Sequence, residues 1–243
     1  MNLQTTFKRI AFNLCLVGLA AGLLSGCAST KVSNREQLVN GPLPRPATIW
    51  VYDFVATPDD VPANSALAGE KDVDTTSQTA AEIAEGKKLG NLIATELVAQ
   101  IRAAGMTAEL GSPTTKPQVN DIMIHGYLLS VNAGSAAKRV TIGFGSGASE
   151  LRTMVEGYQM TAKGERKLGS GTVEAAGGKS PGGILGVATF LATKNPAGLI
   201  ISGGMHIYGE ASGSSELSGR AKAIVKEIAD GLKKRFQAQG WIK

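Results

Sequence analysis

Cysteine is nearly absent from this chain of 243 residues, which holds only Cys15 and Cys27. With one of them inside a removable leader, no disulfide framework is left to expect. Histidine is equally scarce, His125 and His206, so a transition-metal site would have almost no imidazole or thiolate to draw on. No metal and no cofactor are expected. A strong charge bias is missing too: Lys and Arg number 25 against 20 Asp and Glu. Lys8 and Arg9 are the only charges before Cys27, so the remainder holds 25 − 2 = 23 basic against 20 acidic groups, a net +3. That excess is too small to point to nucleic acid as a partner. Long apolar runs are also lacking. The stretch from Ile10 to Leu24 is about 15 residues, short of the roughly 20 that cross a bilayer as a helix.

What the front of the chain does contain is a basic start, that apolar run, and then Leu24-Ser25-Gly26-Cys27. Positive region, apolar region and small residues before a cut are the layout of a secretory signal. The tetrapeptide resembles the lipobox of bacterial lipoproteins. The resemblance implies a diacylglycerol on the Cys27 sulfur, cleavage before Cys27, and acylation of the new amino terminus. Several acyl chains on one residue anchor stably where one binds marginally, since each buried methylene contributes about 0.8 kcal/mol. Ala28, not aspartate, follows Cys27, which by the sorting pattern of Gram-negative lipoproteins implies the outer membrane, with the domain in the periplasm.

The organisation expected is a signal peptide over 1–26, a lipidated tether over 27–46 and one domain over 47–243. Residues 28–46 are polar, with Pro42, Pro44 and Pro46, and read as an extended linker. A coil of that length spans about 25 Å and would hold the domain off the membrane. Thr48–Val55 is a β-branched and aromatic run, a strand covered on both faces. Thr57–Thr79 is loop-like. Over Ala80–Ala104 the period changes: Leu89, Ile93, Leu97 and Ile101, joined by Leu92 and Val98, form one stripe of an amphipathic helix, stopped by Gly105. Met106–Leu110 and Asp121–Val131 read as strands, with Gly126 marking a bulge. Leu151–Thr161 and Gly171–Ala176 form a hairpin around Lys163-Gly164. A last helix over Glu216–Gln239 buries Leu217, Ala221, Ile224, Val225, Ile228, Leu232 and Phe236, and ends at Gly240, with Trp241 packing back. The fold class expected is α+β: a mixed sheet of about five strands packed by two long amphipathic helices, with a Gly-rich apolar hairpin. A strand–helix–strand opening gives a right-handed crossover if its strands are parallel.

Candidate chemistry is thin. Gly143-Phe144-Gly145-Ser146-Gly147 lacks the third glycine of a dinucleotide loop, Ala148 standing there. Gly178-Lys179-Ser180 lacks the leading glycine of a Walker A loop, position 173 being valine. Ser146 and Ser170 lie between glycines but outside the Gly-x-Ser-x-Gly pattern. His125 falls within a predicted strand and His206 in an apolar stretch, so each reads as a satisfied core or edge histidine. No catalytic residue is expected, and a hydrolase is the least favoured function. Lys87-Lys88 and Lys233-Lys234-Arg235 read as solvated helix faces, or as contacts to acidic lipid.

Pro181–Gly209 stands apart: in 29 residues it carries seven glycines and, besides His206, the single charge Lys194. Its halves, Ile184–Thr193 and Ala197–Tyr208, are ten and twelve residues long, close to the roughly 9–11 of a membrane strand. Two readings stay open, a buried hairpin covering the sheet, or a membrane-inserting hairpin closed into a pore by oligomerisation. In the second, Ile184, Leu185, Phe190, Leu199, Ile200 and Ile201 make the membrane or oligomer contacts.

The segments Arg139–Leu151, reading RVTIGFGSGASEL, and Asn195–Gly204 continuing into Tyr208–Ser215 resemble hallmarks of a domain-of-unknown-function family of Gram-negative lipoproteins. The resemblance spans about Pro46 to Lys243 and implies an outer-membrane-associated lipoprotein with no established activity. More loosely, the opening strand, loop and helix are similar to the periplasmic domain of the curli-secretion lipoprotein. The function expected is a non-catalytic envelope scaffold or accessory, its partners being the membrane through Cys27 and an envelope protein or further copies of itself. The alternative is a pore- or secretion-type oligomer built on 181–209.

Overall fold

The computed structural model describes residues 29–68, 80–132, 150–176 and 211–243. These form a mixed α+β body with six strands: β1 (Ser29–Gln37), β2 (Ile49–Val51), β3 (Ala108–Leu110), β4 (Ile122–Asn132), β5 (Glu150–Thr161) and β6 (Gly164–Ala176). Two helices, α1 (Ala80–Ala103) and α2 (Ala211–Ala238), pack on one face. A 3-10 turn covers Pro58–Asp60. The strand order is β1-β6-β5-β4-β2-β3. β4, β5, β6 and β1 are antiparallel neighbours, while β2 runs parallel to both β3 and β4. The β2–α1–β3 connection thus joins parallel strands, the condition for the crossover expected above.

The sixth strand is β1, where a linker was expected. Its nine residues pair with β6 from Ser29↔Ala176 to Gln37↔Gly169, with one extra residue between Ser33 and Glu36. Asn34 in that bulge takes a positive φ of 49°. A polar strand can complete a sheet through its backbone alone, and here it covers the edge that β6 would otherwise leave open. The proline-rich stretch after it is not a tether either. Arg235 donates to the Val39 carbonyl (3.0 Å), Gln239 to that of Gly41 (3.0 Å), and the Trp241 indole to that of Leu43 (3.1 Å). Residues 39–43 are therefore strapped across the C-terminal end of α2, and the described body includes Ser29–Gln37 and this strap as well as the residues from 47 on.

Both helix ends form as their sequences predict. At Gly105 (φ +90°) and Gly240 (φ +70°) the chain turns left-handed, as glycine allows. Met106 N–H donates to Ile101 (3.3 Å) and Gly105 N–H to Arg102 (2.9 Å); Trp241 and Gly240 repeat the pattern on Phe236 (2.9 Å) and Gln237 (2.9 Å). These are two Schellman motifs, and the Trp241 ring closes the second by stacking on Phe236 at 5.7 Å.

The main core lies between sheet and helices. It buries the predicted α1 residues Leu89, Ile93, Leu97, Val98 and Ile101, and the α2 residues Leu217, Ala221, Ile224, Val225, Ile228 and Phe236. Gly126 has a different role from the bulge expected of it. The extra residue in β4 lies between Leu128 and Ser130. At Gly126 a Cβ would stand 2.3 Å from the Phe54 ring, and at Gly90 in α1 it would stand 2.1 Å from the Phe54 carbonyl oxygen. Two missing side chains thus seat Phe54 between helix and sheet. β6 also begins earlier than predicted, paired across Thr161↔Gly164, with Gly164 at φ +105°.

Candidate functional site

The second face of the sheet carries the described polar cluster. Side chains alternate across a strand, so the residues beside the core-facing Ile124 and Leu128 point the other way: Met123, His125, Tyr127 and Leu129 from β4. β5 contributes Met154, Glu156 and Tyr158 to the same face. The loop after β2 folds over them, with Val55, Val61 and Leu67 packing on Tyr127, Leu129 and Met154. Thr57 and Asp60 hydrogen-bond at 2.6 Å, and Lys87 of α1 sits 3.4 Å from the Asp60 carboxylate. Among the lysine pairs that read as solvated or lipid-facing, Lys87 is thereby tied to this loop.

Glu156 is the centre of the cluster, a carboxylate with 0% exposure. The Lys167 ammonium lies 2.5 Å from Oε1, and the Ala66 N–H donates to the same oxygen at 3.1 Å. The hydroxyls of Tyr127 (3.0 Å) and Tyr158 (2.9 Å) reach Oε2, and Ser65 adds a further hydrogen bond. Tyr158 also lies 3.1 Å from the Asn64 carbonyl, and Asn64 itself donates to Glu165. Burial is the largest influence on Glu156 and pushes its pKa up. The hydrogen bonds from Lys167, Ala66, Ser65 and Tyr158 together outweigh it and hold the carboxyl below its ordinary value. Burial first, then the Glu156 charge, pushes the Tyr158 phenol far up, and burial does the same to Tyr127. One anion thus faces two phenols that stay protonated at neutral pH. With its lone pairs occupied, Glu156 is a poor proton acceptor and an effective clamp between loop 55–68 and the sheet.

A bulge in β6 makes this arrangement. Between Gly157↔Gly169 and Tyr158↔Lys167 the strand holds one extra residue, Leu168. Simple alternation from Thr172 and Ser170 would send Leu168 to the Glu156 face. The bulge instead turns Leu168 against the core and brings Lys167 to Glu156, the re-aiming that such irregularities allow.

His125 stacks on Tyr52 (4.5 Å, 10°) and meets Tyr158 edge-on (5.5 Å, 85°). Its buried Nε2 has no hydrogen-bond partner among the described residues, which corrects the expectation of a satisfied histidine. Desolvation lowers its pKa against the pull of Glu165 and Glu156, so the ring is neutral at pH 7. Ser170 pairs with Glu156 in the ladder, but its hydroxyl turns to Glu36 at 3.3 Å. Ser170 and His125 are on separate strands with β5 between them and make no nucleophile–base contact. Two further carboxylates organise the sheet. Asp121, buried, accepts from Thr48 N (3.0 Å), Gln118 N (2.9 Å) and the Trp50 indole (3.0 Å), pinning the start of β2 to that of β4. Arg152 binds Glu174 at 2.9 Å and lies 3.9 Å from Glu150. Burial and the Glu174 charge raise the Glu150 pKa against the opposing effect of Arg152.

The residues expected to carry function fall elsewhere. Leu24, Ser25, Gly26 and Cys27, the segment 181–209 with Ile184, Leu185, Phe190, Leu199, Ile200 and Ile201, and also Ser146 and His206, lie outside the described residues. Glu156 escaped sequence reasoning. Its signal was a charge between Met154 and Tyr158, two residues from each on the same face of β5. Among the described residues no group of three or more His, Cys, Asp or Glu is placed to hold a metal, and no helix is long and apolar enough to cross a membrane.

A family model described as a domain of unknown function, DUF4410, matches residues 49–194. The segment Arg139–Leu151 falls inside that match; Asn195–Ser215 falls beyond it. No curated protein matches the chain. Among solved structures, a dodecamer of a PelC variant from Paraburkholderia phytofirmans is 14% identical, covering 72% of this chain and 98% of its own, at a TM-score of 0.33. A PelC dodecamer from the same organism in a second crystal form is 12% identical, covering 72% and 99%, at 0.34.

Proposed function

This chain belongs to the DUF4410 family, a domain of unknown function, and from that premise we propose that it is a lipid-anchored lipoprotein of the outer membrane with a non-catalytic scaffold or accessory role in the periplasm. The observation that carries the reading is Leu24-Ser25-Gly26-Cys27 behind a basic and apolar leader. The folded body supports the second half. The loop clamped over Glu156 spends that carboxylate on structure, with Lys167 and two phenols consumed in the same contacts. Such a body presents a rigid surface to another envelope protein or to further copies of itself.

The test is Cys27→Ser followed by fractionation of cells. The native chain is expected in the outer-membrane fraction, extracted only by detergent. The variant is expected uncleaved or released, and without incorporated acyl label. Normal processing and unchanged sedimentation of the variant would refute the proposal.

A further inference from the structure

Resting on the lipid-anchor reading, we infer that one particular end of the sheet is the surface this domain turns to the bilayer: the transverse row Ser29, Ala176, Glu150 and Asn132. The four are in direct register, Ser29 against Ala176, Ala176 against Glu150, and Glu150 against Asn132. β1 and β5 start at this row, and β4 and β6 finish at it. Ser29 is already in the ladder only two residues after Cys27, a reach of at most about 7 Å. An anchor on Cys27 therefore brings this corner to the lipid headgroups, where a tether of about 25 Å would have left the orientation free.

The connectivity tells the same end from the other. Residues 133–149 leave the described body at Asn132 and return at Glu150, both in the row. Residues 177–210 leave at Ala176, also in the row, and return at Ala211. α2 runs alongside β1 in the same direction, since Arg35 lies beside Gly231 and Arg235 binds the Val39 carbonyl. From Gly231 back to Ala211 is about 30 Å of helix; from Arg35 back to Ser29 is about 20 Å of strand. α2 therefore begins at the end of the sheet that holds the row. The flanking residues of 177–210, Ala176 and Ala211, thus both lie on the side where the acyl chains would enter the membrane. At the opposite end, the turn at Lys163 stands about 36 Å from Glu150 along β5, with Lys116 in the loop before β4 toward the same end. The partner of the row is a phospholipid headgroup surface, and the Lys163 end points away from it.

The experiment uses the full lipidated protein in liposomes of phosphatidylethanolamine and phosphatidylglycerol carrying a headgroup-attached quencher. Lys31→Cys, Lys116→Cys and Lys163→Cys are each labelled with a small fluorophore; these side chains are exposed, and the thioether at Cys27 does not react. Quenching at Lys31→Cys is expected to exceed that at the other two positions several-fold. Equal quenching at all three, or stronger quenching at Lys163→Cys or Lys116→Cys, in protein held by Cys27 overturns the orientation alone. If a Cys27→Ser chain still floats with the liposomes, the lipid anchor is refuted and the orientation falls with it.

Discussion

Replacing Glu156 by leucine removes one carboxylate and strands its donors: the Lys167 ammonium, the Ala66 N–H and the hydroxyls of Tyr127 and Tyr158. Breaking a buried ion pair by deleting one partner costs about 3–5 kcal/mol, and each stranded neutral donor about 1–3 kcal/mol. These do not add in full, because loop 55–68 can lift and return Ala66 and Ser65 to water. The expected loss is about 4 kcal/mol, a large share of the roughly 5–15 kcal/mol that holds a domain folded. Glu156→Gln keeps the volume and one acceptor oxygen and should cost about 2 kcal/mol. The pH dependence separates charge from packing. With the folded pKa held below the unfolded one, the stability Glu156 supplies is complete above about pH 4.3 and drains away as the pH falls through the folded value. Wild type and Glu156→Gln should therefore differ most at neutral pH and converge in acid. Urea unfolding followed by the fluorescence of Trp50 and Trp241, at steps from pH 7 to 3, measures both. A Glu156→Gln protein as stable as wild type at pH 7, or a gap unchanged at pH 3, would refute the clamp.

Glu150 has the opposite sign. Its raised pKa, due to burial first and then Glu174, makes its contribution most favourable when protonated and less so as the pH rises through the folded value. Glu150→Gln should raise Tm at pH 7 and leave it unchanged at pH 3; a lower Tm at pH 7 would contradict this. Gly90→Ala gains helix propensity of about 1 kcal/mol but drives a methyl to 2.1 Å from the Phe54 oxygen. A net loss of about 1–3 kcal/mol is expected by denaturant titration, and a stabilised variant would show that α1 is free to shift. Asp121→Ala leaves Thr48 N, Gln118 N and the Trp50 indole without their acceptor, for a loss of about 3 kcal/mol and a shifted Trp50 emission. An unchanged spectrum would mean that the indole is not held by this carboxylate.

The residues that were legible in the chain are those whose fate rests on their neighbours in sequence. The buried stripes of α1 and α2 follow from the helical period, and the two helix ends from a glycine followed by Met106 or Trp241 that can donate back to the last turn. The hairpin of β5 and β6 follows from two β-rich runs and Gly164. Family membership was likewise legible, in Arg139–Leu151.

Tertiary structure alone decided the rest. Ser29–Gln37 is polar and carries no strand period, and it becomes β1 because the free backbone of β6 needs a partner, a fact that lies more than a hundred residues downstream. Gly126 is silent by itself and acquires its purpose only when Phe54 arrives above it. Glu156 reads as an isolated charge until a one-residue bulge at Leu168 turns Lys167 toward it and the loop lays Ser65 and Ala66 over it. Periodicity and end signals act over a few residues and are written locally. Pairing, close approach and the satisfaction of a buried charge depend on which distant segments meet, and that is set only when the sheet closes.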